Sequence, residues 1–107
     1  MKQYASHYVW MAGLPLAKMQ VISVDEDSHR VLSVSSFRSE QAHTIWLGGM
    51  ILVAPSFPDL RAGESFLSYL YRLQGPERSS GPLYACHVED YDLMRMEFRR
   101  TSRLIAL

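Results

Sequence analysis

Hydrophobic and polar positions alternate in short blocks along most of this chain, and the blocks are separated by turn-forming residues. Tyr4 to Trp10 is rich in aromatic and β-branched side chains and stops before Gly13 and Pro15, which reads as a strand followed by a turn. Lys18 to Val24 and Arg30 to Phe37 flank the polar cluster Asp25-Glu26-Asp27-Ser28-His29, the layout of an antiparallel hairpin with a longer connection. Strand periodicity puts Ile22 with Val24, and Leu32 with Val34, on one packing face, and turns Ser33 and Ser35 to the other.

After a polar stretch from Arg38 to Ala42, the segment His43 to Trp46 leads to Gly48-Gly49 and an unbroken apolar run, Met50 to Ala54, closed by Pro55. Such a run, stopped by a residue that cannot donate to a ladder, predicts a strand buried on both sides. Beyond Phe57-Pro58-Asp59, which is turn chemistry, Phe66, Tyr69, Leu70 and Leu73 recur at helical spacing, so 63–74 is predicted as a helix of about three turns with its stop at Gly75-Pro76. Gln74 to Pro82 reads as an exposed loop. Leu83 to Val88, Met94 to Arg99 and Ser102 to Leu107 read as strands, the middle one from its strict apolar/charged alternation.

About seven short strands with one inserted α-helix predict a mainly β (α+β) fold, a small antiparallel or mixed β-sandwich formed by residues 1–107 as a single domain. At 107 residues the chain can bury roughly two thirds of the surface it exposes when unfolded, with no need of a metal or a disulfide. Its 48% hydrophobic and 21% charged residues are ordinary globular composition.

Charge narrows the choice of partner. Eleven basic residues balance eleven acidic ones, so no overall field draws in nucleic acid or an anionic bilayer. The local groups, Asp25-Glu26-Asp27 and the arginines at 95, 99, 100 and 103, read as solvated faces. A single cysteine excludes an internal disulfide, and the first nineteen residues hold no apolar run of spanning length. The sequence therefore reads as a mature cytoplasmic protein.

Candidate chemistry is sparse. His7, His29, His43 and His87 are dispersed, with no i, i+2 or i, i+4 pair to begin a metal site. Cys86 and His87 are adjacent on a strand and point to opposite faces, so they do not form a nucleophile–base pair. Glu89, Asp90 and Asp92 lack the glycine and downstream glutamate of a calcium loop. Gly48-Gly49 precedes a strand, whereas a phosphate-cradling glycine loop lies between a strand and a helix. No catalytic, cofactor-binding or metal residue is assigned. A ligand pocket between sandwich and helix would be lined by Phe66, Leu70 and Tyr84.

The segments Val21 to Asp27, Arg30 to Val34 and Leu47-Gly48-Gly49-Met50-Ile51-Leu52-Val53-Ala54-Pro55-Ser56-Phe57 together resemble the opening of metal-dependent amidohydrolases. In that family the first strands form a small sandwich beside the catalytic barrel and lead to a Pro-Gly-Phe and a His-x-His metal pair. Leu83 to Leu107 resembles the strands that return from the barrel to complete the same sandwich, with Glu89-Asp90-Tyr91-Asp92-Leu93 as a connecting turn. The resemblance implies the sandwich fold. It does not imply the activity, because Pro58-Asp59-Leu60-Arg61 stands where the histidine pair would be, and a barrel takes about 250 residues. Ser28-His29 also replaces the single glycine of the family's hairpin turn. The implied role is a non-catalytic sandwich module that acts through a protein partner or self-association, and a small-molecule binding protein is the alternative.

Overall fold

The computed structural model describes residues 1–37, 43–74 and 81–107. In chain order they form β1 (Lys2–Met11), β2 (Ala17–Val24), β3 (Val31–Ser36), β4 (Thr44–Trp46), β5 (Met50–Ala54), α1 (Phe66–Gln74), β6 (Tyr84–Asp92) and β7 (Glu97–Ala106). The described residues are mainly β with one short helix, as the hydrophobic pattern predicts. The polar stretch at 38–42 and the Gly75-Pro76 helix stop, with most of the loop predicted there, lie outside the described residues.

All seven strands belong to one mixed sheet, ordered β3-β2-β1-β5-β6-β7, with β4 beside β1. β5 joins the two ends of the chain. It runs parallel to β1, with Tyr8 opposite Met50, and antiparallel to β6, with Met50 opposite Val88. None of its five residues is more than 1% exposed. Met50, Leu52 and Ala54 face a core shared with Phe66, Tyr69 and Leu73 of α1, while Ile51 and Val53 face a second core with Val9, Ile22, Val24 and Ala85. Burial on both faces is why this strand reads as an unbroken apolar run.

The sheet bends on itself to enclose the second core. Tyr4 packs with that core and so do Val9 and Met11, so the in–out alternation of β1 slips by one between them. Beside the slip, β2 carries Met19 at φ 49°, and Gly48 and Gly49, at φ 68° and 64°, interrupt the passage from β4 to β5. Kinks at one level in neighbouring strands turn a sheet's corner. The bend brings β3 near the entry to β6, where the Val31 N–H donates to the Leu83 carbonyl at 2.8 Å. The result is sandwich-like, with both halves drawn from one continuous sheet.

The helix starts at Phe66 rather than at 63, the last two predicted strands form the single strand β7, and three further details differ from the sequence pattern. The alternation across Met94 to Arg99 spans a boundary, because 93–96 form the β6–β7 turn and β7 starts at Glu97. Asp92 Oδ1 accepts the Met94 and Arg95 N–H groups, Met96 adopts φ 54°, and Met94 is 94% exposed. Local side-chain-to-backbone bonds override the two-residue period here. Consequently Glu89 to Asp92, expected as a connecting turn, belongs to β6. In β3 the register shifts so that Val31 lies opposite Val24 and Ser33 opposite Ser23, which leaves Leu32 without an opposite residue and 55% exposed, off the face it was expected to share with Val34.

Candidate functional site: an arginine-lined cleft beside the helix

The segment leading into α1 has no ladder to hold it, and the helix holds it instead. The Tyr69 hydroxyl donates to the Pro58 carbonyl at 2.6 Å, and Arg72 Nη2 donates to the Asp59 carbonyl at 2.7 Å. Arg72 also donates through Nε and Nη2 to the two Glu64 oxygens, each at 2.8 Å, a bidentate pair of the stronger kind. That bond holds the Glu64 carboxyl below its ordinary range and raises the Arg72 guanidinium. Glu64 Oε1 accepts the Arg61 N–H as well, at 3.1 Å. Ser65 caps the helix by accepting the Ser68 N–H, and Glu97, from the first position of β7, accepts the Phe66 N–H.

The facing wall is a bulge. In the β6–β7 ladder Tyr91 lies opposite Phe98 and Glu89 opposite Arg103, so between these pairs β6 contributes Asp90 and β7 contributes Arg99 to Ser102. Asp90 gathers the excess. Its carboxylate accepts the Thr101 hydroxyl and lies 3.6 Å from Arg99 Nη1, and its carbonyl accepts the Ser102 hydroxyl at 2.7 Å. Asp90 itself sits at φ 59°, a conformation that costs a non-glycine residue energy.

Between these walls opens a cleft of about 920 Å³, lined by 60–65 on one side and by 97–100 and Ser102 on the other. Its arginines are Arg61, Arg99 and Arg100, and its carboxylates are Glu64 and Glu97.

The residues expected to line a pocket do not come together as a set. Phe66 is 7% exposed and packs edge-on against Tyr91 and Phe98, with ring centroids 4.9 and 5.3 Å away. Leu70 packs against the same core, and Tyr84 is half-buried opposite Ala54 where β6 begins. The cleft above has a different lining. Sequence reasoning missed it because Arg61 lies far along the chain from Arg99 and Arg100, and only the β7 bulge marks the second pair.

Of the other candidates, His7, His29, His87, Cys86 and the β6 carboxylates have structural roles. His7 Nδ1 accepts the Gly49 N–H at 2.8 Å, and His87 Nε2–H donates to the Gly48 carbonyl at 3.1 Å, so the two histidines hold both glycines of the sheet corner. His29 Nδ1 is 3.2 Å from the Leu107 carbonyl. Burial pushes the Cys86 thiol up to about 11, away from a reactive thiolate. Glu89 pairs with Arg103 at 2.9 Å, and Asp90 and Asp92 hold the bulge and the turn. Among the described residues no three His, Cys, Asp or Glu side chains are grouped to hold a metal ion, and no helix is long and apolar enough to cross a membrane. Comparison of the chain with protein families, with curated proteins and with solved structures found no match.

Proposed function

We propose that this protein is a non-catalytic β-rich module, a counterpart of the accessory sandwich of amidohydrolases, that works through protein contacts and takes a second copy of itself as partner. The observation that carries the reading is an exposed aromatic group at the sheet corner. Trp46 and its neighbour Ile45 are each 47% exposed, and Trp46 has the Phe37 ring 6.2 Å away and the His7 ring 4.9 Å away. Met19, partly exposed, adjoins through the Phe37 N–H bond to its carbonyl. Trp10, the other tryptophan, is buried in the helix-side core. Large exposed aromatics of this kind gain most from being covered by another surface. The interleaving of early and late strands through β5 supports the relationship, and α1 supplies a cover for one face of the sheet. Light scattering of the eluting protein across a concentration series tests the reading. The mass is expected to rise with concentration, and Trp46→Ser, with its melting temperature preserved, is expected to hold it at the monomer. A wild-type monomer at every concentration removes the proposal.

A second reading, a small-molecule binding protein, is favoured by the cleft between 60–65 and β7. A few hundred to about a thousand cubic ångströms is the ordinary size of a ligand site. Chemical-shift mapping with a fragment set tests it, and perturbations confined to Leu60, Gly63 and Ser102 are expected. Shifts elsewhere only, or none, speak against it.

A further inference from the structure

The cleft has a sign. Each carboxylate that lines it already has strong donors: Glu64 holds Arg72 through both oxygens, and Glu97 Oε1 accepts the Phe66 and Phe98 N–H groups. The helix start is capped by Ser65 and Glu97, so its N–H groups are not what would attract a ligand. The arginines stand differently. Arg99 lies 3.6 Å from Asp90, whereas Arg61 and Arg100 have no carboxylate within ion-pair distance among the described residues. They come from opposite walls of one concavity.

Both walls are held in place. The Arg61 wall is tied to α1 by the Tyr69, Arg72 and Glu64 bonds. The Arg100 wall is a bulge latched to a strained Asp90 by Thr101, Ser102 and Arg99. Bulges that re-aim side chains, and strained residues kept by their surroundings, concentrate at functional sites. Like charges facing each other across a cleft are relieved by an anion between them, and guanidinium groups match the planar oxygen pairs of carboxylate and phosphate.

We infer that the cleft between residues 60–65 and the β7 bulge binds the oxyanion group, phosphate or carboxylate, of a small ligand, with Arg61 and Arg100 as its two cationic contacts. The inference rests on the small-molecule reading and specifies its ligand chemistry. Asp90 keeps Arg99 against the bulge, so Arg99 positions the loop rather than holding the ligand.

The test is titration of the whole chain with inorganic phosphate and, in parallel, with malonate, followed by backbone and arginine Nε–H chemical shifts at constant ionic strength. Saturable shifts at Gly63, Ser102 and the Arg61 and Arg100 side chains are expected, and the tighter arm identifies the head group. Arg61→Gln and Arg100→Gln should each weaken binding at least about tenfold, since each removes a charge-assisted contact. Arg95→Gln, 85% exposed in the β6–β7 turn, should leave it unchanged. Equal weakening by Arg95→Gln shows general charge screening and overturns the assignment. Absence of saturable shifts with either anion also overturns it. If neutral fragments then still perturb the cleft, only the oxyanion assignment has failed; if they do not, the small-molecule reading falls with it.

Discussion

Two buried tyrosines that differ in whether the hydroxyl finds a partner should respond in opposite directions to its removal. Tyr69 is fully buried and its hydroxyl donates to the Pro58 carbonyl at 2.6 Å. The Tyr91 ring packs against the rings of Phe66 and Phe98, and its buried hydroxyl makes no hydrogen bond among the described residues. Burial raises both phenols, Tyr69 to about 12. Tyr69→Phe loses a hydrogen bond of about 1 kcal/mol net and strands a half-buried carbonyl, so it should cost about 1–2 kcal/mol. It also loosens the 58–64 wall of the cleft. Tyr91→Phe keeps the ring and its edge-on contacts while removing an unpaired hydroxyl, whose burial costs about 1–3 kcal/mol in protein mutational data. It should therefore stabilise the fold by about 1 kcal/mol. For a domain of this length 1 kcal/mol moves the midpoint by roughly 4–8 °C, so a separation of about 2–3 kcal/mol should part the two variants by roughly 8–24 °C in thermal melts followed by circular dichroism. A Tyr91→Phe variant that melts as low as Tyr69→Phe would show that its hydroxyl is hydrogen-bonded in solution, and the reasoning would fail.

Burial holds the His87 imidazole below its ordinary 6.5, against the opposing influence of the Gly48 carbonyl bond and of Glu89. The unfolded chain therefore binds more protons near and below that value, and the contribution of His87 to stability is complete above about pH 6.5 and is lost as pH falls from there towards the folded value. Urea midpoints taken down through this window should decline in the wild type and decline less in His87→Gln; equal slopes would assign the effect to another group. At the sheet corner, Gly49→Ala should cost about 1 kcal/mol from its φ of 64° alone, because the added Cβ meets His87 Nε2 at an ordinary 3.7 Å. Gly63→Ala, at φ 71° with open space around it, should cost a similar amount, and a neutral result in chemical denaturation at either position would show that the backbone there relaxes.

The linear pattern determined what each segment wants locally. Met50 to Ala54 is apolar because both of its faces are covered, and Phe66, Tyr69, Leu70 and Leu73 share a stripe because they lie on one helix face. Both were legible in the order of side chains, since a period along the chain is local information. Tertiary structure alone decided that β5 pairs with β1 and β6, that Val31 reaches Leu83, and that Arg61 shares a cleft with Arg100. Pairing partners and register depend on hydrogen bonds between distant backbone segments, which side-chain order does not record. The left-handed turns at Met19, Asp90 and Met96 were hidden for a related reason. Met19 and Met96 read as ordinary strand positions and Asp90 as part of a connecting turn, and each takes a costly conformation because the ladders and bonds around it, assembled only in the folded molecule, outweigh its own preference.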